Sequence, residues 1–562
     1  MVAIFYHPDA FQTKNRKLMG RNAAGESFLK GFFKHSTPTE DKSISVFAPD
    51  SNFITDFEAS VRECGRTDSI LPISNETITK LSDASILYYP GPDIAQQARY
   101  RMHHKFEWGI CGITHTTSSA GAMDAITSWI TCPVQPWDAV ICTSNAVKKN
   151  VETVLQAEVD FLQERLGIAK LILPQLPVIP LGVDTQDFQF TAQQRSEARQ
   201  KIAANEDTVV ILYVGRLSFH AKAHPLAMYQ ALEAATNITG KKLILLECGW
   251  HANEHIESAY SVAAKSAGPS ITCITLDGRN PVDRSTAWAS ADIFCSLSDN
   301  IQETFGIVPV EAMAAGLPLV VSDWDGYKDT VRDGIDGFRI PTMAPRPGLA
   351  GDLAYRHALN IDTYDMYCGY SSSLVALHSQ KLSKAFIELI QSPELRYKMG
   401  EAGKSRAIET YDWQVIIPRY QELWDEQTKI RLASRENNLG RKSNNHKPAT
   451  SSEWPARLDP TISFSNYPTK LLDSDTLLKL ADSTADLALN KLSELISLEL
   501  VKYASFIFPT KGEIDIILTT AESFLPEPAP ASELVRNLQT SRKPYGLRGL
   551  VWLCKLGILE FS

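Results

Sequence analysis

The sequence predicts an α/β protein of two parallel-sheet domains followed by a smaller, mainly helical region. Three observations carry this. Short apolar runs alternate with helical patterns from residue 2 to about 180, and a second series of the same kind opens at 209. A polar, Asn- and Ser-rich stretch over 432–452 then sets off the remainder, as a linker would. At 562 residues the chain exceeds what a single core serves.

The strand candidates of the first series are 2–6, 43–47, 86–89, 110–114, 139–142 and 177–180. Helical spacing fills several gaps, for instance 144–166, where the Ser144 hydroxyl suits an N-cap. In a sheet wound this way, ligands bind beyond the carboxyl ends of the strands. Two features stand at such ends. Residues 19–27, MGRNAAGES, carry Gly20 and Gly25 ahead of a helix expected over about 27–33. Small residues there either let backbone approach a ligand closely or simply make a turn. His115 follows the strand at 110–114 and suits a structural role or a place beside a reacting group.

After a polar connection over 184–207, the second series runs through strand candidates 209–214, 242–247, 271–276 and 293–296. Gly215-Arg216-Leu217-Ser218 ends the first of these, with Lys222 six residues beyond Arg216. Two cations at a strand mouth can neutralise a diphosphate, Arg by its planar fork and Lys as a point charge; solvated surface charges are the plainer alternative.

The densest signal is ETFGIVPVEAMAAGLPLVVSD, from Glu303 to Asp323. Gly306 opens a short helix with Pro309 in its first turn, where a missing N–H costs nothing. Ala-rich helix formers follow, Gly316 and Pro318 stop the helix, and Leu319-Val320-Val321 suits a central parallel strand. The helix start, at Thr304-Phe305-Gly306, presents unpaired N–H groups and a partial positive charge, which suit a diphosphate. Glu303 at the rim can accept hydrogen bonds from sugar hydroxyls, and Glu311 can hold the two hydroxyls of a ribose. Otherwise Glu303 caps the helix and Glu311 is solvated or ion-paired. An acid between an apolar turn and an Ala-rich one is costly without a partner.

These residues resemble the E-x7-E signature of retaining glycosyltransferases of the GT-B fold, family 4 in particular: E-T-F-G, E-A-M-A-A-G-L-P and the downstream S-D-W-D-G all fit. The G-R-L…K motif at Gly215 to Lys222 resembles the same family, with the Arg-to-Lys interval one residue longer and Ala223 in place of the usual Gly. The segments 137–146, 178–184 and 333–338, and the glycines at 20 and 25, resemble further family elements. The resemblance covers about 1–430. It implies two Rossmann-like domains facing across a cleft, with 1–184 on the acceptor side, 185–411 binding the donor, and a helix over 412–431 crossing back.

The implied reaction is metal-independent transfer of a hexose-type sugar from a nucleotide-diphosphate donor to a carbohydrate or lipid-linked acceptor, with retention of configuration. Glu303 and His115 would be catalytic. Arg216, Lys222, Thr304, Phe305, Gly306 and Glu311 would bind the donor, and Gly20 and Gly25 would face phosphate or acceptor. No cofactor is implied. A GT-B-fold nucleotide-sugar epimerase and a non-catalytic scaffold are the alternatives.

Composition narrows the partners. The net charge of -9 gives no reason to expect nucleic acid. Nine scattered cysteines without a CxxC pair read as reduced core thiols, in keeping with a cytoplasmic setting. No apolar run approaches a membrane span, which still allows peripheral membrane contact. Residues 344–373 depart from the family pattern and read as a lid, an interaction surface or a packed decoration. Residues 453–562 read as an accessory domain, winged-helix-like in outline, that would bind a protein partner.

Overall fold

The computed structural model describes residues 2–12, 20–38, 40–440 and 454–561, in two compact units, 1–446 and 447–562. The first unit holds two six-stranded parallel sheets. One comprises β1 (Val2–Phe5), β2 (Ser43–Phe47), β3 (Ser69–Ile73), β4 (Ile86–Tyr88), β5 (Gly109–Thr114) and β6 (Ala139–Cys142), in the order 3-2-1-4-5-6. The other comprises β7 (Val209–Val214), β8 (Leu243–Gly249), β9 (Thr272–Asp277), β10 (Ile293–Ser296), β11 (Leu319–Ser322) and β12 (Gly337–Ile340), in the order 12-11-10-7-8-9. Both are doubly wound, and each reverses direction beside its first strand, between β1 and β4 and between β7 and β10.

The central strands are continuous apolar runs because both faces are covered. Val210 to Leu212 and Leu243 to Leu246 are fully or almost fully buried. β3 was not expected. It is a mostly exposed edge strand with Pro72 in it, so it carries neither an apolar run nor clean alternation. The strand expected at 177–180 is only an isolated bridge, Cys142 to Val178, because two prolines remove the donors a ladder needs.

The stretch 19–27 is corrected more substantially. A helix runs Gly20–His35, so Gly25 lies inside it and the expected loop is helical from Gly20 onward; Met19 lies outside the described residues. Ala24, Phe28, Leu29, Phe32 and Phe33 are buried at helical spacing, and that burial outweighs the poor helix propensity of three glycines, Gly20, Gly25 and Gly31. Gly25 serves packing: a Cβ there would stand 2.1 Å from the Ala10 carbonyl oxygen.

The Trp413–Gly440 helix packs on the N-terminal sheet domain. Trp413 is buried, its ring fills the space left by the missing side chains of Gly31 and Gly182, and its Nε1–H donates to Ser27 Oγ at 2.8 Å. The Gln427 amide donates to the carbonyls of Ile110 and Trp137. The helix continues past the linker start expected at 432, since Arg431 donates to the Phe106 carbonyl and Arg435 pairs with Glu107. The remainder of that stretch, 441–453, lies outside the described residues.

The second unit has its own core. The strand Leu477–Leu480 pairs antiparallel with Ala529–Pro530 on one side and Leu559–Phe561 on the other. Helices Ala485–Ile496, Lys511–Glu522 and Lys543–Lys555 supply buried Leu492, Ile517, Leu518, Leu550 and Leu553. Residues 477–480, within the region expected to be mainly helical, alternate exposed and buried as a strand does. All nine cysteines are free thiols, and no helix among the described residues is long and apolar enough to cross a membrane.

Removing the Trp413 ring leaves a cavity that two glycines cannot fill. Trp413→Ala is expected to cost about 3–5 kcal/mol of stability, read from the urea-unfolding midpoint of the full chain.

Candidate functional site

The site forms where the second sheet reverses direction, beyond the carboxyl ends of β7, β10 and β11. After β7 the chain turns through Gly215 into a loop carrying Arg216 and Lys222. One terminal nitrogen of Arg216 donates to the Ala221 carbonyl at 2.9 Å and to Gln302 Oε1 at 3.1 Å. The loop after β10 meets it: Asn300 Nδ2 donates to the His220 carbonyl, and Lys222 Nζ donates to Glu303 Oε2 at 2.6 Å. These contacts join residues 80 or more positions apart and fix both loops.

The helix that follows spans Ile307–Ala314, with Gly306 at its N-cap. Gly306 has φ +83°, and a Cβ there would stand 2.2 Å from the Tyr327 ring, so no other residue fits in either backbone or space. Tyr327 is held in turn by its hydroxyl against Ser296 Oγ at 2.8 Å. Phe305 is buried beneath, 1% exposed.

Electrostatics divide the two predicted glutamates. Burial pushes the Glu303 carboxyl up, but Lys222 and the backbone N–H groups of Thr304 and Gly306 outweigh it, so the group ends below the ordinary carboxylate range. Glu303 therefore stays ionised. Glu311 lies on the helix and is pushed up to about 7, chiefly by burial, with Asp187 adding and Arg284 offsetting. No hydrogen bond to its carboxylate comes from any described residue. Two further acids crowd the strand ends. Burial raises Asp299 to about 7, and burial with the nearby Glu303 charge raises Asp325 to about 8. One carboxylate oxygen of each is buried without a partner among the described residues.

The N-terminal sheet domain closes on this cluster. Thr304 Oγ1 donates to the His115 carbonyl at 3.1 Å, and Ser144 Oγ donates to the Thr304 carbonyl at 2.8 Å. The structure thus brings together Arg216, Lys222, Glu303, Thr304, Phe305, Gly306 and the His115 backbone, with Glu311 farther along the helix. Gly20 and Gly25 belong to the Gly20–His35 helix and do not form the expected loop. Sequence reading missed Gln302, Asp299, Asp325 and Ser144 as site residues. Asp325 stood within the quoted S-D-W-D-G, and its φ of +41° suits a small polar side chain. Gln302 left no signal, since its role comes from a loop across the sheet.

Fold and site together define an α/β protein of two parallel-sheet domains with a cation-bearing, acid-rich cluster at a switch point. Residues 194–346 match the family described as glycosyl transferases group 1, the segment that carries Arg216, Lys222, Glu303 and Glu311. Over 156 residues the chain is 31% identical to phosphatidyl-myo-inositol mannosyltransferase of Mycobacterium leprae, covering 27% of this chain and 32% of that protein. It is 22% identical over 265 residues to lipopolysaccharide 1,2-N-acetylglucosaminetransferase of Salmonella typhimurium, covering 47% of this chain and 58% of the relative. The chain therefore spans between a third and three-fifths of these two relatives. Among solved structures, that of Anabaena Alr3699/HepE in complex with UDP and glucose aligns with a TM-score of 0.48 at 15% identity, covering 76% of this chain and all of that one.

The raised pKa of Glu311 has a consequence for stability. Unfolding returns the group to its ordinary range near 4.5, so the folded chain binds the proton more tightly. Its contribution is most favourable below about 4.5 and is lost as pH rises through about 7. Glu311→Gln should therefore melt like the wild type at pH 4 and at a higher temperature than the wild type at pH 8, in ligand-free thermal scans.

Proposed function

We propose that the protein transfers a hexose-type sugar from a nucleotide-diphosphate donor to an acceptor hydroxyl, with retention of anomeric configuration and without a metal. The observation that carries this reading is the meeting of Arg216, the Lys222–Glu303 pair and the Gly306 helix start beneath the His115 and Ser144 loops of the other sheet domain. The family matched by 194–346, and relatives named as mannosyl- and N-acetylglucosaminyl-transferring enzymes, support a hexose donor.

In this reading each group has a task set by its chemistry. Arg216 and Lys222 neutralise the diphosphate, whose charge grows as the glycosidic bond breaks; stabilisation of that developing charge is the largest lever on the rate. The N–H groups at the start of the Ile307–Ala314 helix aim at the same phosphate. Glu303, ionised and held by Lys222, accepts hydrogen bonds from sugar hydroxyls and orients the ring. Glu311 holds the ribose hydroxyls, which favour its charged form and draw its pKa down from about 7. The acceptor enters on the His115 side, attacks the face the leaving group vacates, and passes its proton to the departing phosphate. The acceptor is a carbohydrate or lipid-linked hydroxyl, and the 447–562 unit serves to recruit a protein partner.

Arg216→Ala and Glu311→Ala should each lower kcat/KM for the nucleotide sugar at least ~100-fold, about 3 kcal/mol of transition-state stabilisation, in a chain that still melts cooperatively. Near-native turnover by either would remove the assignment. A panel of UDP-, GDP- and ADP-sugars, each with and without acceptor, separates transfer from epimerisation, since an epimerase converts the donor alone.

Glu311 also gives the binding step a proton signature. A nucleotide sugar bound at pH 7 should release part of a proton, seen as a calorimetric enthalpy that varies with the buffer's ionisation heat. Glu311→Gln should reduce that release, leaving whatever Asp299 and Asp325 contribute.

A further inference from the structure

Residues 344–373, which depart from the family pattern, form an excursion rooted in the second sheet domain. Thr342–Met343 pairs antiparallel with Ala376–Leu377 and closes its base, and Thr342 Oγ1 donates to the Asp323 carbonyl just past β11. Within it stand two helices, Gly351–Ala358 and Tyr364–Ser372. They are fastened to each other. Arg356 grips Asp362 through two hydrogen bonds of 2.8 Å, and the His357 ring stacks on Tyr367 with centroids 4.5 Å apart. A Cβ at Gly369 would stand 2.8 Å from His220 Cβ, so the second helix lies directly on the loop after β7. The His220 carbonyl is held in turn by Asn300 Nδ2. The excursion is therefore braced at its base, between its helices and against its own domain.

One end of it reaches the other domain. Tyr364, in the first turn of the second helix, has its hydroxyl 2.7 Å from Ser118 Oγ, on the loop after β5 of the N-terminal sheet domain. Two facing hydroxyls satisfy each other whichever of them donates. Ser118 is buried, and its neighbour Ser119 caps the Ala120–Ser128 helix by accepting from the Ala122 N–H. Both partners thus stand on anchored backbone, so their bond cannot persist when the two domains move apart.

Other bonds cross the same cleft. Thr304 Oγ1 donates to the His115 carbonyl, Ser144 Oγ donates to the Thr304 carbonyl, and the Asn145 N–H donates to Asp329 Oδ2 at 2.6 Å. The last of these is a reporter of closure. Asn145 opens the Asn145–Leu166 helix, where an N–H has no partner within the helix, so its acceptor comes from the second sheet domain.

We propose that the 344–373 excursion is a latch: the Tyr364 hydroxyl, bonded to Ser118, holds the two sheet domains together, and the parting of the domains that admits a ligand requires its release. The latch acts whatever the cleft binds. One neutral hydrogen bond shifts such an equilibrium about fivefold, enough to set how often the cleft opens without sealing it.

Tyr364→Phe keeps the ring and removes only its hydroxyl; Ser118→Ala removes the other. Amide hydrogen exchange of the full chain without ligand, resolved to single residues, tests the latch through Asn145, which belongs to neither partner's loop. Each single change should speed Asn145 exchange about fivefold, because exchange tracks the open population. The double variant should exchange no faster than the faster single one, since either change already removes the one shared bond. Amides within β5 and β7 should keep wild-type rates, as both domains stay folded. Unchanged Asn145 exchange in either variant, effects that multiply in the double variant, or β5 and β7 amides that speed up as much as Asn145 would each overturn the latch.

Discussion

The ion pair between Lys222 and Glu303 is the contact on which the site depends. Both side chains are largely buried, 27% and 11% exposed, so neither is hydrated well enough to stand alone. Breaking such a pair by removing one partner typically costs about 3–5 kcal/mol, because a buried charge is left uncompensated. The pair holds the loop after β7 against the loop after β10, which sets the entry of the Ile307–Ala314 helix. Glu303 in turn receives N–H groups of the helix start, so the carboxylate marks the place where an anion is favoured.

Around this pair the site holds more acid than base. Glu311, Asp299 and Asp325 are all displaced upward into the neutral range, chiefly by burial, with Arg284 offsetting only part of it at Glu311 and Lys328 at Asp325. A cluster of this kind is poor at holding a simple anion by charge alone. It is suited to a ligand that brings negative charge at one point and many hydroxyl donors elsewhere, since a hydroxyl can satisfy the buried, unpartnered oxygens of Asp299 and Asp325. A nucleotide-diphosphate sugar has that distribution. The fold supplies the rest: two sheets reverse direction at corresponding points, the Trp413–Gly440 helix is wedged against the N-terminal sheet domain through Trp413, and Thr304 is bonded to His115 and Ser144 across the cleft.

Much of this was legible in the residues. The stretch from Glu303 to Asp323 announced its loop, short helix, stop and buried strand, because Pro309 and Pro318 restrict the backbone while Gly306 and Gly316 permit the positive φ that the helix entry and stop require. The central strands were legible because burial on both faces leaves only apolar residues. What escaped had physical reasons. β3 is an exposed edge and carries little pattern. Gly20 and Gly25 suggested a loop, yet Phe28, Leu29, Phe32 and Phe33 bury enough surface to carry a helix back through both. Gln302 gains its contact with Arg216 from 86 positions away, and no local spacing encodes contacts of that range.

The central claim is that the Lys222–Glu303 pair marks one end of a nucleotide-diphosphate sugar site. A crystal structure of the full chain with bound UDP, GDP or ADP tests it most directly. The account predicts the diphosphate within hydrogen-bonding distance of Arg216, Lys222 and the Gly306 helix start, with the ribose hydroxyls on Glu311. A nucleotide lodged elsewhere, leaving those side chains untouched, would contradict it.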